Sequence, residues 1–147
     1  MSPTSRQLKT HLITVQSSDA HRVLIVDDEP AILFAYRKLL EKEGMCVDIS
    51  TCLEGAIQHI SKLNYLAVIV DMRLTGSDNE DGLEFLRILH VERPATKMII
   101  ATGFGSSEIE NAARALGVSF YFEKPVQPAA IMEALTSFIQ TPVAIPV

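Results

Sequence analysis

Two periodicities alternate along this chain. Short runs of consecutive apolar residues, rich in β-branched side chains, are separated by stretches whose apolar positions fall three and four apart. The first run, Val23-Leu24-Ile25-Val26, suits a strand buried on both faces. Pro30 then stands where a first helical turn tolerates proline. Ile32, Leu33, Tyr36, Leu39 and Leu40 follow at helical spacing, and Gly44 closes that helix. The cycle repeats with a strand over Cys46 to Ser50, a helix over Leu53 to Leu63 and a strand over Leu66 to Val70. A polar loop, Met72 to Asn79, leads into a helix from Asp81 to Glu92 with Leu83, Leu86 and Leu89 on one face. Met98 to Ala101 is a fourth strand, Ser107 to Leu116 a helix ended by Gly117, Val118 to Phe122 a fifth strand and Ala129 to Ile139 the last helix.

Five apolar strands alternating with five amphipathic helices predict an α/β three-layer sandwich, a (βα)5 parallel sheet covered on both faces. Right-handed crossovers leave few arrangements, and the flavodoxin-like strand order 2-1-3-4-5 fits best. Residues 1–20 carry no sustained periodicity and are expected to be an N-terminal tail, 21–140 the folded domain and 141–147 a C-terminal tail.

Composition narrows the function classes. The formal net charge is −5 with basic residues scattered, which argues against direct nucleic-acid contact, since that rests on phosphate neutralisation by Lys and Arg. No run of about 18 apolar residues suggests a membrane span, and residues 1–20 lack the apolar stretch of a secretory signal. A cytoplasmic location is expected. Cys46 and Cys52 lack zinc or CxxC spacing and are predicted to be small buried apolar side chains. His11, His21, His59 and His90 lack metal-ligand spacing and receive no role.

In open parallel sheets, ligands bind outside the carboxyl ends of the strands. The first strand ends in Asp27-Asp28 followed by Glu29, the third in Asp71, the fourth in Thr102, and the fifth leads to Lys124-Pro125. Carboxylates brought this close repel one another and call for a cation. Oxygen-only ligands suit a hard ion such as Mg²⁺. A carboxylate can also serve as the nucleophile in phosphoryl transfer, with a metal, a lysine and a hydroxyl stabilising the equatorial oxygens. A single Asp ending a strand is usually a turn former; the convergence of all these groups on one edge is what points to chemistry.

The segments VLIVDDEP, VIVDMRL, DGLEFL, IIATG and FYFEKP resemble the receiver domains of two-component response regulators over about Arg22 to Gln140. The resemblance implies that Asp71 is the phosphoacceptor and that Asp28 ligates Mg²⁺ directly, with Asp27 acting mainly through water. It implies further that Arg73 lends its backbone carbonyl to the metal, that Thr102 bonds a phosphoryl oxygen and that Lys124 pairs with the phosphoryl charge. Tyr121 matches the aromatic switch that turns inward when Thr102 moves, and Pro125 the proline that follows a cis peptide bond. The sequence departs from the family pattern at Thr75, where a proline is usual, in the long stretch Thr75 to Glu80, and at bulky Phe104 after Gly103. The Arg73 side chain holds a position that tunes the lifetime of the phosphorylated state in this family.

The expected function is phosphoryl uptake on Asp71 from a histidine kinase or phosphotransfer protein, Mg²⁺-dependent and followed by hydrolysis, with no turnover of a separate substrate. The signal is expected to pass to a protein partner through the face formed by the fourth helix, fifth strand and fifth helix, with a homodimer possible. On that helix Ile109, Ala112, Ala113 and Leu116 are placed inward, and Glu108, Glu110, Asn111 and Arg114 outward. A stand-alone receiver without an output domain is expected, with a fragment of a longer regulator and a phosphorylation-independent binding module as alternatives. Arg73 stands where aspartyl-phosphate hydrolases commonly place a second acid, which argues against turnover catalysis. The absence of a glycine-rich loop after the first strand argues against a flavin carrier.

Overall fold

The computed structural model describes residues 21–74, 80–103 and 105–139. The expected tails, the departure at Thr75 with most of the stretch after it, and Phe104 lie outside the described residues. Five strands, β1 (Arg22–Val26), β2 (Cys46–Ser50), β3 (Ala67–Val70), β4 (Lys97–Thr102) and β5 (Phe120–Glu123), alternate with five helices. These are α1 (Pro30–Lys42), α2 (Leu53–Lys62), α3 (Glu80–Glu92), α4 (Ser107–Ala115) and α5 (Pro128–Ile139). The strands form one sheet in the order β2-β1-β3-β4-β5, all parallel, as the alternation predicts.

The period of two along the strands divides the core into two layers. Leu24, Val26, Val68, Val70, Met98 and Ile100 face Ala56, Ile60, Leu83, Leu86, Leu89 and Ala113 of α2, α3 and α4. Val23, Ile25, Ala67, Ile69, Ile99 and Ala101 face Leu33, Tyr36, Leu40, Ile131, Ala134 and Leu135 of α1 and α5. Both layers reach β3, every residue of which is buried. Phe85 is the largest fully buried side chain, and truncating such a ring to alanine costs about 3–5 kcal/mol.

The helix ends follow local chemistry. Pro30 opens α1, where its missing N–H costs nothing. Gly44 (φ 93°) ends α1 and Gly117 (φ 96°) follows α4. At the first, Met45 N–H donates to the Leu40 carbonyl at 3.0 Å and Gly44 N–H to the Glu41 carbonyl at 3.0 Å, the paired bonds of a left-handed helix stop.

Two expectations need correction. Cys46 is exposed and Cys52 only half-buried; Cys46 opens β2, an edge strand of the sheet, so its side chain lacks a neighbouring strand on one side. The fifth strand starts two residues later than its apolar pattern suggests, at Phe120. Val118 N–H instead donates to the Ala113 carbonyl and completes the end of α4. In α4 itself Ala113 is buried and Ile109, Ala112 and Leu116 pack against the core, while Glu108, Asn111 and Arg114 are exposed and Glu110 is half-buried.

Candidate phosphoacceptor site

The hydrogen-bond ladders run one residue past the strands and fix the backbone where the polar groups begin. Asp27 N–H donates to the Ser50 carbonyl (3.1 Å), Asp71 N–H to the Val26 carbonyl (2.9 Å) and Lys124 N–H to the Thr102 carbonyl (2.9 Å). Four side chains from β1, β3, β4 and β5 are thereby delivered to one edge. Asp27, Asp71 and Thr102 are buried, and Asp28 is half-buried.

Both carboxylate oxygens of Asp71 accept hydrogen bonds. Oδ1 receives the Thr102 hydroxyl at 2.8 Å and the Arg73 N–H at 3.2 Å. Oδ2 receives the Lys124 ammonium at 2.9 Å. Lys124 also donates to Asp27 Oδ2 at 2.6 Å and lies 3.5 Å from Glu29. Asp27 Oδ1 accepts from the Glu29 N–H at 3.0 Å. Charge-assisted bonds of this kind are short and directional, so the nucleophile candidate is held in one orientation.

Burial by itself would lower the affinity of the Lys124 ammonium for its proton. The hydrogen bonds and charges of Asp27 and Asp71 outweigh it and hold Lys124 well above the usual lysine range. Burial pushes the Asp27 carboxyl up, against the pull of Lys124 and the Glu29 N–H, and the Asp71 charge adds to the rise. The two directions look opposed for one ion pair. They agree: at Lys124 the two carboxylates outweigh burial, whereas at Asp27 burial outweighs the pull of Lys124. Tyr36 of α1, also buried, is pushed up by burial and feels both Lys124 and Asp27.

Asp27, Asp28 and Asp71 each offer a carboxylate oxygen, all within 4.8 Å of one another. Three hard oxygen donors, two of them buried, fit a divalent cation such as Mg²⁺.

Backbone packing supports the same corner. Gly82 N–H donates to the Met72 carbonyl at 3.0 Å, and a Cβ at Gly82 would lie 2.5 Å from the Asp71 carbonyl oxygen and 2.6 Å from Met72 Cα. The start of α3 can sit this close to Asp71 only without a side chain at 82. Lys124-Pro125 is cis.

The structure brings together Asp27, Asp28, Asp71, Thr102 and Lys124. Arg73 lies beside them through its N–H on Asp71. Tyr121 packs against the α2–α4 core. Sequence reasoning missed Glu29 as a partner of Lys124, Tyr36 within reach of the charge cluster, and the packing role of Gly82. The DG pair of the DGLEFL segment was the available signal for the last.

This constellation on this fold is that of a phosphoacceptor switch. The chain matches the response regulator receiver domain family over residues 23–136 and belongs to it. It is 36% identical over 106 residues to the nitrogen assimilation regulatory protein NtrX of Azorhizobium caulinodans, covering 72% of this chain and 23% of that protein. This chain thus spans about a quarter of that relative's length. Among solved structures it is similar to a CheY-like receiver domain protein from Methanospirillum hungatei JF-1 (TM-score 0.75, 31% identity, 80% of this chain and 92% of that one). It is also similar to the beryllofluoride-activated NtrC4 receiver domain dimer (TM-score 0.73, 27% identity, 82% and 97%). Members of this family are switches phosphorylated on aspartate, generally use Mg²⁺ and are generally not turnover enzymes.

Proposed function

We propose that Asp71 accepts a phosphoryl group from a phosphohistidine on a sensor kinase or phosphotransfer protein. An Asp71 carboxylate oxygen forms the new O–P bond as the donor's N–P bond breaks, and the imidazole leaves with that electron pair. Lys124 and Thr102 move their hydrogen bonds from the carboxylate to the phosphoryl oxygens, where negative charge accumulates. Asp27, Asp28, Asp71 and the Arg73 carbonyl would hold Mg²⁺, which when bound neutralises phosphoryl charge. Water later attacks phosphorus and releases phosphate, restoring Asp71. The chain so catalyses its own modification and its reversal.

The observation that carries this reading is the Asp71 carboxylate itself: buried, bonded on both oxygens by Thr102 and Lys124, and within 4.8 Å of two further acids. Tyr121 and the α4–β5–α5 face transmit the change to a protein target in the cytoplasm. The dimeric NtrC4 receiver supports a second copy of this chain as one such target. The greater length of NtrX favours a second architecture, in which this domain governs an output domain of a longer regulator.

Incubation with Mg²⁺ and a small acyl phosphate, read by intact mass, tests the assignment. One phosphoryl group is expected on the wild type and none on Asp71→Asn or without Mg²⁺. An unmodified wild type, with an acyl phosphate and with a phosphohistidine donor, would leave a phosphorylation-independent binding module.

A further inference from the structure

Gly105 lies between Thr102 and Ser106, the N-cap of α4. Its φ is outside the left-handed region, so its backbone conformation does not demand glycine; the space beside it does. A Cβ there would stand 1.9 Å from the Tyr121 hydroxyl oxygen, 3.0 Å from Tyr121 Cζ and 3.4 Å from the Thr102 methyl. The Tyr121 hydroxyl is enclosed and has no hydrogen-bond partner among the described residues. Burial pushes its phenol up, helped by the Glu110 and Glu123 charges; the Ser106 N–H is close enough to offset a little of this without forming a proper hydrogen bond. The ring is therefore seated by close packing, with the Ser106 N–H nearby. On the other side Ser106 Oγ accepts the Ile109 N–H at 3.2 Å, which anchors the start of α4. An added methyl at 105 meets a pinned helix end on one side and a rotatable ring on the other.

We propose that Gly105 is a positioning residue for this switch: its missing side chain lets the Tyr121 hydroxyl seat beside the Thr102 methyl, and the filled seat keeps Thr102 in the rotamer that donates to Asp71. The identity of residue 105 then sets how far the unphosphorylated chain already holds Tyr121 inward. The effect on phosphoryl uptake rests on Asp71 as the acceptor; the effect on the ring does not.

The test labels the ε carbons of the three tyrosines and follows their relaxation by a soluble paramagnetic agent, with Tyr121 assigned by its loss in Tyr121→Phe. Gly105→Ala is expected to make the Tyr121 signal severalfold more accessible, with Tyr36 and Tyr65 unchanged. It should also slow phosphoryl uptake from an acyl phosphate severalfold. In the Tyr121→Phe background, where the oxygen at 1.9 Å is gone, the same alanine should have a much smaller effect on uptake. An unchanged Tyr121 signal in Gly105→Ala, or an undiminished loss of uptake in the Phe background, would overturn the proposal by showing that alanine acts through α4. Should Gly105→Ala fail to fold, recovery of folding in the double variant supports the seat and failure there overturns it. A wild type that takes up no phosphoryl group while Tyr121 still responds to residue 105 refutes the acceptor assignment and leaves the seat standing.

Discussion

Polar side chains are buried at both ends of the sheet, and the two ends are built differently. At the amino ends of the strands, the Tyr65 hydroxyl donates to Asp48 at 2.7 Å, with Arg22 3.7 Å from the same carboxylate. Thr96 donates to the Tyr65 carbonyl at 3.0 Å, and Arg93 donates to the Ile60 carbonyl at 2.8 Å. One acid there accepts from the Tyr65 hydroxyl and faces the Arg22 guanidinium, while Thr96 and Arg93 donate to backbone carbonyls. At the carboxyl ends, Asp27, Glu29 and Asp71 converge on the single ammonium of Lys124, with Asp28 alongside. The first arrangement is closed and serves the fold. The second gathers four acids around the Lys124 ammonium, an arrangement suited to a cation and a phosphoryl group.

Lys124→Met is expected to have the largest effect. It strips the cation from two buried carboxylates, a loss that typically costs about 3–5 kcal/mol, measurable by urea unfolding. Phosphoryl uptake should fall on the order of 10²–10³-fold, as when one preorganised charge stabiliser is removed. A variant as stable as the wild type would mean that the acids do not depend on this lysine.

Mg²⁺ gives the next largest effect. At free Mg²⁺ roughly a hundred times its dissociation constant, the folded state should gain about 2.7 kcal/mol. Asp28→Asn should abolish most of that gain, whereas Tyr65→Phe, at the other end of the sheet, should retain it. An equal response in all three proteins would place the ion elsewhere.

Tyr65→Phe has the smallest expected effect, about 1.5 kcal/mol for a hydrogen bond to a partly exposed carboxylate. Burial and then the Asp48 hydrogen bond raise the Tyr65 phenol above its ordinary value of 10.0. A raised value means that the contribution is complete below the unfolded value and is lost as pH rises through the folded one. The difference between wild type and Phe variant should therefore be flat between about pH 6 and 9 and shrink only in stronger alkali. A difference that fades near neutrality would show that the tyrosine's proton is not what is being held.

Much of this was legible in the residue order, for identifiable reasons. Strands buried on both faces need unbroken apolar runs, and those runs located β1, β3 and β4 to within a residue. Each candidate acid, hydroxyl and lysine stands within two residues of the end of such a run, so placing the strands placed the groups on one edge. Harder to see were effects set by neighbours distant in sequence. Cys46 looks like a core residue until its strand is known to lie at the sheet's edge. Nothing in the run Val118 to Phe122 tells that Val118 belongs to the end of α4. Gly82 and Gly105 look like ordinary helix-start and loop glycines until the Asp71 carbonyl and the Tyr121 hydroxyl are found against them.

Residue order dictates the layer architecture, because apolar periodicity settles which faces must leave water, and it supplies the set of groups at the carboxyl edge. How those groups share partners follows from three-dimensional packing. That Lys124 bonds Asp27 as well as Asp71, that Glu29 joins it, and that Tyr121 fills the space left by Gly105 depend on ångström-scale distances across four strands. Hydrogen bonds and close packing fall off over such distances far more steeply than any periodicity can specify.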